Sequence, residues 1–221
     1  MALLTALGAL TVTATQAQQP SPDDLEPRVK VAHLVYAGGK SSVCFSSGYL
    51  DLLDRETDIP IDREPARIEV ISRSMYEYPF TVMTGEGAFE LDDDEVNALR
   101  EYLERGGFIL ASAGCSNANW DTSFRREILR VAPDGDGLRA IDLDHDLFRM
   151  VFNVTYFQSR GRGEDVRLYG LYIDDRLALV YSPEGLNDTG NAGGGCCCCG
   201  GVEIRNAKYI NANILAWALT Q

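Results

Sequence analysis

Cys115 stands in Ala113-Gly114-Cys115-Ser116-Asn117, directly after the apolar run FILASA over 108–113. A thiol in such a turn can act as a nucleophile when a base or a helix N-terminus stabilises its thiolate. The two histidines are His33 and His145. His145 lies in Asp142-Leu143-Asp144-His145-Asp146, a loop-like stretch where a carboxylate can orient the ring, so it is the candidate base. His33 falls inside an apolar segment, where packing is the simpler role. Glu86, in Thr84-Gly85-Glu86-Gly87, is a further acidic group near the same sheet edge. Cys115, His145 and Glu86 together would serve a Cys-dependent hydrolase or amidotransferase-like enzyme. A buried, inert Cys115 is the simpler reading.

Cys196, Cys197, Cys198 and Cys199 are consecutive within a glycine tract over 193–201. Soft thiolates select copper(I) or zinc, so a copper or zinc ion is one expectation for these four residues. Adjacent side chains diverge along an extended chain, which opposes the tetrahedral cage of spaced C-x-x-C pairs. Disulfides compete for the same sulfurs in an oxidising compartment. Cys44 and Cys115 are isolated in the chain, and either is available to complete the metal site; this spacing is not expected to staple distant elements.

The elements that must position these groups follow from periodicity. Val29 to Tyr36 is a short apolar run rich in β-branched residues, expected as a buried first strand before Ala37-Gly38-Gly39. Gly48 to Arg55 suits a short helix, and Ala66 to Ile71 alternates as a strand near a sheet edge does. Phe80 to Met83 is the next strand, closed by Gly85-Glu86-Gly87. Asp92 with Glu95 three residues on predicts a capping box. Val96, Leu99 and Leu103 then mark one buried helix face, and Gly106-Gly107 stop the helix. Phe108 to Ala113 has the make-up of a central parallel strand. Asp121 is expected to cap the helix that follows. Val166 to Ile173 and Leu177 to Tyr181 flank Asp174-Asp175 as a late hairpin, and Ala207 to Leu219 closes the chain as a helix.

Alternating strands and helices predict an α/β fold with a mostly parallel central sheet. Ligands in such sheets bind beyond the carboxyl ends of the strands. Gly85, Glu86, Gly87, Gly114, Ser116 and Asn117 are therefore the expected ligand-binding residues.

Length and charge narrow the functional classes. The chain has 221 residues, enough for one well-packed domain, expected over 28–221. A formal charge of −13 argues against a nucleic-acid partner and against docking on an anionic membrane. Residues 1–17 carry no charge and end in Thr15-Gln16-Ala17, a small-x-small pattern that predicts a signal peptide. A linker is expected over 18–27. The apolar run is too short and Thr-rich for stable membrane insertion. Export to the periplasm or cell envelope follows as the expectation.

Several stretches together, YPFTVMTGEGAFELDDDEVNALREYLERGGFIL, DTSFRREILRVAP, LDHDLF and GLYIDDRLALVYS, resemble the bacterial domain of unknown function 4159 family. The resemblance runs from about Val29 to the C-terminus. That family is similar in turn to the class I glutamine amidotransferase-like superfamily, which implies a flavodoxin-like three-layer sandwich and a bacterial, often envelope-associated, setting. It implies no catalytic residues. Active superfamily members carry a nucleophilic Cys at a strand-turn-helix elbow of the form Gly-x-Cys-x-Gly. Gly114-Cys115-Ser116-Asn117 departs from that form. The leading expectation is thus a non-catalytic module that binds a small-molecule or protein partner at its strand ends.

Overall fold

The computed structural model describes residues 27–133, 136–159, 166–192, 196 and 203–221. The expected signal peptide over 1–17, nearly all of the linker over 18–27, and Cys197, Cys198 and Cys199 lie outside the described residues.

Seven strands form one sheet. They are β1 (Val31–Val35), β2 (Ala66–Glu69), β3 (Phe80–Gly85), β4 (Phe108–Ala113), β5 (Arg139–Ile141), β6 (Leu168–Ile173) and β7 (Arg176–Ser182). Their spatial order is β2-β1-β3-β4-β7-β6-β5. The first five places are parallel, in the flavodoxin-like order, with β7 in the fifth place. β6 and β5 extend the sheet antiparallel. Asp174 and Asp175 turn β6 into β7 with φ of 49° and 63°, the left-handed pair that a two-residue hairpin needs. The late hairpin is present, and β2 sits on the edge as its alternation requires.

Two layers of helix cover the sheet. α1 (Gly48–Glu56) and α4 (Ala207–Ala218) lie on one face, and α2 (Asp93–Glu104) and α3 (Ala118–Val131) on the other. β3 and β4 are buried at every position, so their unbroken apolar runs suit a parallel strand covered on both sides. Phe80, Val82, Phe108 and Leu110 point to α1 and α4, where they meet Leu50, Leu53, Ile210 and Ile214. Met83, Ile109 and Ala111 point to α2 and α3, where they meet Leu99, Leu103, Trp120 and Phe124. Each such side chain contributes roughly 1.5–3 kcal/mol on full burial. Exposed ion pairs such as Arg105–Glu101 contribute at most about 1 kcal/mol. The apolar layers therefore hold the sandwich together.

The capping box is formed: the Asp92 side chain accepts from Glu95 N at 2.8 Å, and Glu95 Oε2 accepts from Asp92 N at 3.1 Å. Gly106 ends α2 with φ 99°. Asp121, however, does not cap α3. Asn117 does, its Oδ1 accepting from Trp120 N at 3.0 Å. The helix begins at Ala118, three residues before Asp121, because the turn after β4 is too tight to leave an extended linker there. Asp121 instead accepts from Arg125 Nε at 2.7 Å and from the Tyr181 hydroxyl. A buried carboxylate on α3, Glu127, accepts from Arg126 Nε at 2.7 Å and Arg130 Nη1 at 2.5 Å. The same arginines donate to the Phe89 and Leu91 carbonyls, which pins the chain between β3 and α2 onto α3.

His33 is only 6% exposed. Its ring meets Phe45 edge-on at 5.6 Å, and Nε2 has no hydrogen-bond partner among the described residues. Burial, helped by the charge of Arg67 alongside, pushes its pKa down from 6.5 to about 4. The unfolded chain therefore takes up this proton at a higher pH than the folded one. Stability from this group is full above pH 6.5 and is lost as pH falls toward 4, by about 3 kcal/mol in total. Urea midpoints at pH 7 and pH 4.5 should fall less in His33→Leu than in the parent chain. Equal falls would mean that the imidazole is not the group responsible.

Candidate functional site

The five parallel strands, β2, β1, β3, β4 and β7, deliver their carboxyl ends to one edge of the sheet. After β1, Ala37, Gly38 and Gly39 all have positive φ, at 47°, 69° and 102°. This reversal is closed by Lys40 N donating to the Tyr36 carbonyl at 2.7 Å. Ala37 N donates to Glu95 Oε1 at 2.6 Å, so the residue that completes the α2 capping box also holds this turn. The chain order reverses between β1 and β3, which makes the crevice between them the switch point of the sheet. Ser42 N donates to the Thr84 carbonyl at 3.0 Å, which draws the loop after β1 back over that crevice.

At the end of β3, Gly85 has no room for a side chain. A Cβ there would lie 2.5 Å from Tyr36 Oη and 2.8 Å from Trp120 Nε1. Those two groups are bonded to one another, Trp120 Nε1 donating to Tyr36 Oη at 2.6 Å, and Tyr36 Oη donates to the Thr84 carbonyl at 3.1 Å. Gly87 N donates to Asn117 Oδ1 at 3.1 Å. At the end of β4, a Cβ on Gly114 would come within 2.9 Å of the Gly85 carbonyl oxygen, so the two turns lie back to back. The expected group Gly85, Glu86, Gly87, Gly114, Cys115, Ser116 and Asn117 is therefore brought together.

Cys115 adopts φ 55° and ψ 28°, and Ser116 follows with φ 52°. Left-handed backbone at two consecutive non-glycine residues is strained, and it makes a sharp strand-to-helix turn of the kind that carries nucleophiles. The surroundings suit a nucleophile less well. Cys115 is disulfide-bonded, and its Sγ lies 3.3 Å from Glu86 Oε1, where a carboxylate charge opposes a thiolate. His145 is not at this site. It follows β5, three strands from β4, roughly 14 Å across the sheet at the usual strand spacing. There its Nδ1 accepts from Leu147 N at 3.1 Å and its ring packs on Trp217 with centroids 5.0 Å apart. Ser116 Oγ donates to the Glu184 carbonyl at 2.5 Å, which joins the β4 turn to the segment after β7.

Asn187 is the residue at this edge that sequence patterns did not reveal. It is buried, and its Oδ1 accepts from Ser112 Oγ at 2.6 Å and Thr84 Oγ1 at 3.1 Å. Its Nδ2 donates to the Cys44 carbonyl at 3.1 Å, and its own carbonyl accepts from Ser46 N at 2.9 Å. One side chain thus ties together the ends of β3 and β4 and the loop after β1. Thr84 and Ser112, hydroxyls at the ends of otherwise apolar strands, were the available signal for a polar centre here.

A disulfide joins Cys44 to Cys196, with Cα atoms 5.4 Å apart, within the ordinary range for such a link. Cys196 therefore does not offer a thiolate to copper or zinc in this form. Among the described residues no group of three or more His, Cys, Asp and Glu is arranged to hold a metal ion. Nearby, burial raises the pKa of Asp188 and of Glu203. Asp188 Oδ1 accepts from Asn191 Nδ2 at 2.9 Å, and Glu203 Oε2 accepts from Thr189 Oγ1 at 2.5 Å. The structure so sets weakly solvated acids beside the disulfide.

At the opposite end of the sheet, a cavity of about 460 Å³ is lined by Arg100, Glu104, Pro133, Tyr172 and Asp174. Arg100, the one cation among its described lining residues, is engaged by the carbonyls of Val131 and Arg130 at 2.9 and 2.6 Å, as a structural clasp would be. No helix among the described residues is long and apolar enough to cross a membrane.

No curated protein matches the chain. A family model does, the domain of unknown function DUF4159, over residues 30–219. With the expected stretches in place on a flavodoxin-like sheet and the match spanning nearly the whole chain, this protein belongs to the domain of unknown function 4159 family.

Proposed function

We propose that this chain is an exported binding module that presents the carboxyl edge of its sheet to a ligand or protein partner and performs no covalent chemistry there. The observation that carries this reading is the state of the elbow. Its sulfur is held in a disulfide, the Glu86 carboxylate lies 3.3 Å from it, and the candidate base His145 is occupied elsewhere. The Cys44–Cys196 disulfide supports export, because such links persist in oxidising compartments and are rare in the cytosol. Similarity to the class I glutamine amidotransferase-like superfamily agrees with the sheet order, but a shared fold hosts many activities.

One observation favours a second reading. The left-handed Cys115 at a strand-to-helix turn is the geometry of a nucleophile, so a reduced form would expose an amidotransferase-like thiol. The copper or zinc reading of Cys196 to Cys199 likewise requires reduction of the Cys44–Cys196 link.

A photo-cross-linking amino acid at Lys40, on the carboxyl edge, and at Asp174, on the opposite edge, separates these readings when combined with thiol kinetics. Binding at the carboxyl edge predicts a discrete adduct from envelope extract at position 40 only. It also predicts that Cys115, once reduced, alkylates at pH 7 no faster than an ordinary thiol. Equal labelling at both positions removes the binding reading. Alkylation more than about tenfold faster than a free cysteine turns the assignment to the thiol enzyme.

A further inference from the structure

The stretch 151–158 has no regular secondary structure, yet it is held in place along its whole length. Asn213 on α4 accepts from Val151 N at 3.0 Å and Phe152 N at 2.9 Å, and donates to the Phe152 carbonyl at 2.8 Å. Asn206, at the start of α4, accepts from Gln158 N at 2.9 Å and donates to the Tyr156 carbonyl at 2.9 Å. Val154 N donates to the Phe148 carbonyl at 2.9 Å, and Arg205 N to the Gln158 carbonyl at 2.7 Å. Two asparagines of one helix thus hold an irregular segment rigidly from both ends. A fixed loop on a rigid scaffold is the usual setting of a binding residue.

What this loop presents is unusual for the chain. It borders a cavity of about 380 Å³ whose walls include Phe152, Asn153, Thr155, Tyr156, Gln158 and Tyr209. Tyr156 is 57% exposed and Tyr209 46% exposed, and Phe152 meets Tyr209 edge-on at 5.1 Å. Among the described residues no charged side chain lines the cavity, although 24% of the chain is charged. The side chains of Asn153, Thr155, Gln158 and both tyrosines make no hydrogen bond to other described residues. The cavity therefore combines aromatic faces in water with amides and hydroxyls that no other described residue engages, on a backbone that has already been ordered.

We infer that this cavity is a binding site for a neutral saccharide. A pyranose has apolar C–H faces that stack on Tyr and Phe rings, and a rim of hydroxyls that both donate to and accept from amides. The combination of aromatic walls with a few convergent polar groups is what a small-molecule site requires. The chain's formal charge of −13 disfavours phosphorylated or otherwise anionic ligands. The density of amides and hydroxyls disfavours a purely apolar one, which would leave them unpaired. The lining shares no residue with the Gly85–Gly87 and Gly114–Asn117 turns, so the inference does not rest on the function proposed for that edge.

Titration calorimetry of the oxidised chain with glucose tetramers, β-1,4- and α-1,4-linked, and with the N-acetylglucosamine tetramer tests this. The expected result is saturable binding of at least one tetramer. Tyr156→Ala and Tyr209→Ala should each weaken it at least about tenfold, while Tyr76→Ala, at an exposed tyrosine elsewhere, leaves it unchanged. Amide-proton shifts at Asn153 and Gln158 on titration would locate the ligand without relying on variants. Absence of heat and of shift changes with all three tetramers overturns the inference, and so does binding that survives both tyrosine substitutions.

Discussion

Removing the Cys44–Cys196 link by the double substitution Cys44→Ser/Cys196→Ser is expected to lower the stability of the folded chain by between about 2 and 5 kcal/mol. The bridged residues are 152 positions apart. A cross-link over so long a loop removes a large part of the unfolded chain's freedom, and the chain-entropy account sets the upper figure near 5 kcal/mol. Both residues are replaced so that neither leaves a thiol to pair with another cysteine. The local effect adds to the entropic one. Cys44 sits in the loop that Ser42 and Ser46 attach to Thr84 and Asn187, and its carbonyl accepts from Asn187 Nδ2. A loosened loop would weaken these bonds across the crevice between β1 and β3. Urea unfolding under non-reducing conditions measures the difference. If midpoint and slope match the parent chain, the link does not constrain the fold. On the binding reading, cross-linking at position 40 should fall in parallel, since the loop after β1 forms part of the presented surface.

Asn187→Leu should cost about 3 kcal/mol, although the new side chain has nearly the same size. Leucine fills the space but leaves Thr84 Oγ1 and Ser112 Oγ without the oxygen they now donate to, and the Cys44 carbonyl without its donor. Each buried polar group left unpaired costs roughly 1–3 kcal/mol, while the added apolar contact returns part of that. A double-mutant cycle isolates the polar part. Thr84→Val keeps the shape of Thr84 and deletes only its hydroxyl, so it should be more costly in the parent chain than in Asn187→Leu, by about 1 kcal/mol. Additive costs would show that the Thr84–Asn187 bond contributes nothing. Ser112 is less suitable for such a cycle, because its Oγ also accepts from Leu186 N at 2.7 Å.

These two residues mark the division between patterns carried locally and contacts made at a distance. The α2 capping box, the Gly106 stop and the buried runs of β3 and β4 each depend on residues within a few positions of one another. Their physics is complete in a short window of chain, and all are present as expected. The hairpin at Asp174-Asp175 is of the same kind. Asn117 rather than Asp121 caps α3, although both are competent capping residues. The choice between them depends on how sharply the chain turns after β4, and that turn is set by the Gly85 carbonyl packed against Gly114.

The gathering of Gly85–Gly87 with Gly114–Asn117 was legible, since adjacent parallel strands place successive carboxyl ends side by side. The grouping of Cys115 with His145 was not, because β5 joins the far edge of the sheet after an antiparallel pair rather than next to β4. Nothing near His145 in the chain encodes that distance. Asn187 with Thr84, 103 positions apart, and Cys44 with Cys196 are likewise products of topology. Cysteines in a glycine tract are equally compatible with metal, thiol or disulfide chemistry until the fold brings a particular sulfur within reach. Local capping, turn and burial patterns thus established the sandwich and the edge at which to look. The long-range closure of that edge, by the Asn187 amide and the Cys44–Cys196 disulfide, came from the packing of segments that share no local pattern.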